Sequence, residues 1–375
     1  MNVIIKEVTT KKELRNFVKF NIDLYKNHPC HVPLLIEEDM MTLSRDKNPA
    51  FEFGEASYFL AYKNGKIAGR IAGMINYKSN ETWNQTNARF GFVDFIDDTE
   101  VVDQLFNAVE TWARQKNMTH LHGPLGFTDL DHEGMLIEGF DQLGTLATIY
   151  NYPYYPKHME RMGYVKDQDW FEFKITVPKT VPEKHRRISE IVKKKYGLKV
   201  LKFKKRKEIW PYAHKIFQTL NEAFIPLYGF AKLTPRQIDY YVNMYIPMIR
   251  LDFVTIIIRE KDDVVAGFGI TLPSLSKALQ KAKGNAFPFG FIHLLKALYS
   301  KPEIVDFYLM GVLPEYKNKG VSALIFNDII PTYNKSNVKY AETNPELETN
   351  NAVQSQWDDF EHEHHKTRRA YIKQL

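Results

Sequence analysis

The stretch Val312-Leu-Pro-Glu-Tyr-Lys-Asn-Lys-Gly-Val-Ser-Ala-Leu-Ile-Phe326 decides the fold. It closes an apolar run, "EIVDFYLMGVL", that reads as a strand, and opens "SALIFNDIIPTY", which reads as a helix. Between them lies a short basic loop with one glycine. A loop entering a helix in this way gathers backbone N–H donors at the positive end of the helix dipole, where an anion binds well. Gly320 permits close backbone approach, Ser322 is small, and Lys317 and Lys319 add charge. A Lys-x-x-Gly-x-Ser string is common by chance, so its weight comes from its slot between strand and helix.

Working outward, that slot recurs. After Gly197 the sequence predicts a strand "LKVLKF", a helix over about 207–223 and a second helix started by Thr234-Pro235. A hairpin "DFVTIIIREKDDVVAGFGITL" follows, then the strand and helix already quoted. A strand "VKYAET", a helix "LETNNAVQSQWDDF" and a last strand "KTRRAYIKQL" complete it. The first half runs in the same order. A strand near Val3 leads to a helix over 11–25 and a helical "LLIEEDMMTLS". Two strands join at Asn64-Gly65, a hairpin signal. "ARFGFVDFID", the helix "EVVDQLFNAVETWARQK" capped by Asp98-Thr99, "MTHLHGP", a short helix and "DWFEFKI" follow. This is a duplicated α/β (α+β) architecture, each copy a mixed, mostly antiparallel sheet flanked by helices. The expected organisation is a first domain over 1–178, a basic linker or helix over 179–198 and a second domain over 199–375. The second copy carries an insertion over 273–302. Its apolar segment from Phe289 to Tyr299, with His293 and Lys296, reads as a core helix, a lid over an apolar substrate or a membrane-surface helix.

The chain has 375 residues, 44% of them hydrophobic, enough for two cores. Cys30 is the single cysteine, which excludes an internal disulfide and suits a reducing compartment. It reads as a packing residue rather than a reactive thiol, although His28 and His31 stand beside it. The first residues lack a signal-peptide pattern and no apolar run is long enough to span a membrane, so the expected location is cytoplasmic, with peripheral contact at the inner membrane face left open. The net charge of +6 is uneven: residues 179–208 hold thirteen Lys/Arg against three Asp/Glu. Such a segment is a solvated face or serves an anionic surface, a nucleic acid or an anionic cofactor.

At Lys317-Asn318-Lys319-Gly320-Val321-Ser322 the sequence resembles the GNAT acyltransferase superfamily, whose signature is Arg/Gln-x-x-Gly-x-Gly/Ala after the fourth strand. Here lysine replaces the arginine and serine the final glycine. Longer stretches resemble a bacterial tandem-GNAT group similar to the bacterial ceramide synthases. They are "GRIAGMINYK", "GPLGFTDLDHEGMLIEGFD", "YNYPYYPKHMERMGYVKDQD", "ETNPELETNNAVQSQWDDF" and "HKTRRAYIK". The resemblance implies two tandem GNAT-like domains, with acyl-CoA or acetyl-CoA as co-substrate and no metal. It implies that residues from Val312 and Lys317 through Ser322 hold the cofactor, with the strand before the loop splaying to bind the pantetheine arm. The first copy matches in order only. Asp94, Asp97 and Asp98 stand in its loop slot, so it is expected to shape the substrate cleft without binding cofactor.

Amine attack on a thioester needs a base for the ammonium proton and a donor for the departing thiolate. The candidates are Glu342 or Glu348 as base, Asn350 to position the carrier arm or acceptor, and Tyr371 to protonate the thiolate. Asp306 and Tyr308 stand behind them. Each also has a purely structural reading, as strand packing or a solvated helix start. Asp129, Asp131, His132 and Glu133 read as a solvated loop or as a binder of the acceptor's polar head; His362, His364 and His365 read as an exposed tail or a weak metal site. The expected partner is a small-molecule or lipid amine; nucleic acid is not expected. Two other functions stay open: aminoacyl-tRNA-dependent peptidyl transfer and non-catalytic lipid or partner binding. Gly320→Glu is expected to abolish acyl-CoA binding without unfolding the chain.

Overall fold

A computed structural model describes residues 2–375, which form two compact units. Unit 1 holds the chain up to Phe171 together with Ser276–His293 and His365–Leu375; unit 2 holds Glu172–Leu275 and Leu294–His364.

Unit 1 begins with β1 (Ile4–Glu7), α1 (Lys11–Leu24), α2 (Ile36–Thr42), β2 (Gly54–Lys63), β3 (Lys66–Asn76) and α3 (Tyr77–Thr82). It continues through β4 (Asn87–Phe95), α4 (Thr99–Gln115), β5 (His120–Gly123), β6 (Met135–Glu138) and α5 (Tyr154–Arg161). Strand β7 (Val165–Thr176) carries the chain into unit 2. There follow α6 (Glu183–Tyr196), β8 (Leu198–Leu201), α7 (Trp210–Phe224), α8 (Pro235–Tyr245), β9 (Val254–Arg259) and β10 (Val264–Pro273). The inserted α9 (Ser276–Ala282) belongs to unit 1, and α10 (Gly290–Tyr299) leads back to unit 2. Unit 2 then adds β11 (Ile304–Val312), α11 (Ser322–Lys335), β12 (Tyr340–Thr343), β13 (Glu346–Leu347) and α12 (Asn351–Gln354), and β14 (His362–Gln374) returns to unit 1.

In unit 1 the strand order is β1-β2-β3-β4-β5-β14, with β6 beside β14. β2 and β3 form the hairpin turned by Asn64 and Gly65, both at positive φ (55° and 75°). Its core sets Phe90, Phe95, Phe106, Tyr155 and Tyr164 around α4, with Tyr371 of β14 among them. In unit 2 the order is β12-β11-β10-β9-β8, β12 also pairing the end of β7. Thr234 caps α8 with a reciprocal bond from Gln237, as the Thr-Pro start predicts.

Three sequence expectations change. The stretch from Leu347 to Phe360 is not one helix: a short strand, the four residues of α12 and a turn at Trp357–Asp359 divide it. The histidine-rich run is part of a strand rather than a tail: His362 and His364 are exposed at the start of β14, as expected, and His365 to Arg368 are buried further along it. The insertion also joins the unit formed by the first half of the chain. Ser276 Oγ donates to Gly144 O at 2.8 Å, Gln280 Nε2 donates to Pro29 O and His31 O, and Ile36 N donates to Gly284 O.

Asp94, expected in the loop slot of the first copy, lies in β4 and is buried. Arg70 Nε lies 2.6 Å from its Oδ2, Arg70 also donates to Phe17 O, and Asn21 Nδ2 donates to the same carboxylate at 3.1 Å. Removing one partner of a buried pair strands the other. Arg70→Leu is therefore expected to lower stability by about 3–5 kcal/mol in urea titration at pH 7, and the double variant Arg70→Leu/Asp94→Leu to recover most of the loss.

Candidate active site

The site grows from one irregularity in unit 2. β11 and β12 run parallel and pair from Ile304↔Tyr340 to Phe307↔Thr343, where the pairing stops. β11 continues to Val312, held on its other edge by β10. Opposite β10 the register passes from Ile270↔Leu309 to Thr271↔Phe307, so Tyr308 is an extra, bulged residue. A bulge bends its strand and raises its twist. Here it falls where β12 ends, and among the described residues no strand pairs Leu309 to Val312 on that side. It also interrupts the alternation that had put Asp306 and Tyr308 on one face. Asn344 Nδ2 donates to Tyr308 O at 2.7 Å and marks the fork; Asn344 Oδ1 is buried and has no partner.

The loop follows directly. After the turn Pro314–Tyr316, the amides of Lys317 and Lys319 bond to Pro314 O and Tyr316 O. Among the described residues, the amides of Asn318, Gly320, Val321 and Ser322 donate to no protein acceptor. Val321, the N-cap of α11, makes no side-chain cap. Four open N–H groups thus gather at the start of a fourteen-residue helix, with the Lys317 and Lys319 side chains exposed beside them.

The basic segment that reads as a linker or helix forms the helix α6, packed along α11. A Cβ at Gly320 would lie 2.6 Å from Ile188 Cγ2, and its φ is +78°. Glycine is therefore required by the approach of α6 as well as by backbone geometry. Gly320→Glu would disturb that packing, which corrects the expectation of a clean binding defect. Lys319 Nζ and Lys195 Nζ lie 5.7 and 5.3 Å from the Tyr196 ring centroid, so charge from α6 and the loop collects at one place.

Glu342, on β12, stands opposite Asp306 of β11 and Lys174 of β7. Glu348 and Asn350 follow β13. Asn350 is the N-cap of α12 without a side-chain cap bond. Tyr371 belongs to unit 1, its ring buried in that unit's core and its phenol pushed up to about 12 by burial. Cys30 is buried, with its thiol pushed up by burial. One residue was missed. Both oxygens of Glu346 accept from Trp357 Nε1, at 3.0 and 3.1 Å, and burial raises its carboxyl to about 8 although the indole bond pulls it down. Trp357 packs on Phe307, the last paired residue before the bulge, with ring centroids 5.5 Å apart. Chain order places Glu346 among three similar glutamates; only the burial around Trp357 separates it from them.

An apolar cavity borders the fork. Ala213, Ile216 and Phe217 of α7, Ile246, Met248, Ile249 and Tyr308-Leu309 line it.

In unit 1 the same fork is shut. β4 and β5 pair only from Asn87↔His120 to Arg89↔His122, but the chain after Gly123 turns back and fills the gap. Leu125 N donates to Phe90 O at 2.9 Å, and a Cβ at Gly91 would lie 2.2 Å from Leu125 O. The start of α4 is occupied by Asp98, whose carboxylate accepts from Val101 N and pairs with Lys63.

The fold is that of the tandem GNAT proteins. A tandem GNAT protein from the clavulanic acid biosynthesis pathway, solved without AcCoA, superposes with a TM-score of 0.57 at 11% identity, over 100% of this chain and 98% of that one. Protein YghO of Escherichia coli (strain K12) is 27% identical over 380 residues, spanning 99% of this chain and 95% of that protein. Bacterial ceramide synthase of Caulobacter vibrioides is 26% identical, spanning 98% and 96%. No family model matches the chain.

Glu346 gives a pH test. Folded, it keeps its proton to about 8; unfolded, only to the ordinary 4.5. The unfolded chain therefore releases the proton first, and folding loses stability as pH rises from 4.5 through 8. Glu346→Gln, which keeps an acceptor for Trp357, is expected to match the wild type near pH 4.5. It should exceed it at pH 8 by an amount on the order of a few kcal/mol, read from urea melts at the two pH values.

Proposed function

We propose that this chain is an acyltransferase that moves an acyl group from a coenzyme A thioester to an amine, and that the acceptor is a long-chain base or another lipid amine. The observation that carries the reading is the pairing of four open amides at the start of α11 with a β11 edge that, among the described residues, no strand covers from Leu309 to Val312. The amides, with Lys317 and Lys319, suit a diphosphate; the uncovered edge and the orphaned Asn344 Oδ1 suit the amide-bearing arm of the carrier. The residues present fit the group. When bound it would supply the activated carbonyl.

The chain's own residues do the rest. Val312 ends the uncovered edge, Val321 is buried, and Ser322 is small. The basic face of α6 adds charge for further phosphate, a use of the basic segment 179–208 that needs no nucleic acid. Glu346 is assigned as the base, since a carboxyl titrating near 8 can take a proton from an ammonium group and hold it. Glu342 and Glu348 are tested beside it, and Asn350 is assigned to hold the acceptor. Tyr371 is assigned to packing. The apolar side chains of the small cavity at Tyr308-Leu309 suit contact with hydrocarbon, and the name of the Caulobacter relative points to the same substrate class.

Titration calorimetry with acyl-CoA is expected to show saturable binding. Lys317→Glu/Lys319→Glu should weaken it about tenfold or more, increasingly so at low salt, and Ser322→Tyr should remove it. Glu346→Gln is expected to lower kcat about 100-fold while leaving binding intact, and to flatten the rise in rate toward pH 8. Glu342→Gln, Glu348→Gln and Tyr371→Phe should stay within about threefold of wild type on that assignment. Binding without turnover on any amine would favour a non-catalytic binder.

A further inference from the structure

The segment from Phe287 to Tyr299 leaves its apolar side chains in water. Phe287 is 78% exposed, Phe289 70%, Tyr299 59% and Ile292 50%, with Phe291 and Leu295 also open. On α10, Phe291, Leu295 and Tyr299 recur every fourth residue and Ile292 lies beside them, so they share one face; Leu298 turns inward and is buried. Isolated exposed apolar residues are ordinary, but a contiguous aromatic and aliphatic face marks an interaction surface.

Its charge says which kind. From Ser274 to Pro302 the sequence holds Lys277, Lys281, Lys283, Lys296 and Lys301, all exposed, with His293 and no acidic residue. Neighbouring elements reach the segment through arginines. Arg206 donates to Tyr299 Oη at 3.1 Å, and Arg250, ion-paired with Asp252, donates to Ser300 O at 3.0 Å; Glu303, just past the segment, pairs with Lys339. A second copy docking face to face would set this collar against itself. An anionic lipid surface complements both parts: hydrocarbon takes the aromatic face, and lysines reach the phosphates at headgroup level.

We propose that Phe287–Tyr299 is a lipid-docking element, with Phe287, Phe289, Phe291, Ile292, Leu295 and Tyr299 entering an anionic membrane surface and Lys281, Lys283, Lys296 and Lys301 lying on its headgroups. The end of the segment is tied to the apolar cavity. Arg206 bridges Tyr299 Oη and the carbonyl of Ile249, which lines that cavity. A lipid substrate would thus be taken up beside the surface that holds it. The docking stands on exposure and charge, and does not depend on acyl transfer.

Sedimentation of the full chain with vesicles tests it. Vesicles of phosphatidylcholine with about a third phosphatidylglycerol should carry the chain down, and pure phosphatidylcholine should do so far less. Phe289→Ser/Leu295→Ser is expected to lose binding to both, about tenfold or more. Lys281→Glu/Lys283→Glu should lose about thirtyfold on anionic vesicles only. Both variants should keep the wild-type circular dichroism and the wild-type response to acyl-CoA, so that a failure of lipid docking is read apart from any failure of the transferase reading. A wild-type chain left in the supernatant, or variants that pellet like the wild type, would overturn the proposal. So would a wild-type dimer that Phe289→Ser/Leu295→Ser dissociates without any vesicle binding.

Discussion

A parallel strand pair that stops pairing halfway is the constraint on which the site depends. β12 ends at Thr343, while β11 runs five residues further, held by its pairing with β10. The bulge at Tyr308 turns β11 away at the same point. An unpaired edge inside a folded domain carries backbone groups that must be satisfied by water or by a ligand. Asn344 satisfies one of them and leaves its own oxygen unmatched. The loop and the start of α11 continue from that edge, so the open amides follow it in sequence as well as in space.

The two units carry this device in opposite states. In unit 1 the fork is closed by backbone, at Leu125 against Phe90, and the helix start by the Asp98 carboxylate. A carboxylate at a helix N-terminus does locally what a bound phosphate would do, and it excludes one. The buried Arg70–Asp94 pair fixes the same strand, β4, against α1. Unit 1 thereby fills, with its own backbone and the Asp98 carboxylate, the two openings that unit 2 leaves.

Local chemistry was legible in the sequence wherever one stretch determines its own conformation. Asn64-Gly65 turns a hairpin, Thr234-Pro235 starts a helix, and Lys317 to Ser322 sits between a strand and a helix, each as its residues dictate. What escaped depends on residues far apart in the chain. The requirement for glycine at 320 comes partly from Ile188 on α6. The bulge at Tyr308 is a matter of register with Ile270 and Thr271. Glu346 is distinguished from Glu342 and Glu348 only by Trp357, which folds back over it. The insertion's place in unit 1 rests on bonds from Ser276 and Gln280 to carbonyls more than a hundred residues earlier.

The most direct measurement is amide hydrogen exchange across both helix starts, with and without acyl-CoA. Protection should appear at Asn318, Gly320, Val321 and Ser322 and along Tyr308 to Val312, while the amides at Asp98 to Val101 stay unchanged. Exchange at Asn318 to Ser322 that ignores the ligand, or protection that appears at Asp98 to Val101 instead, would contradict the account.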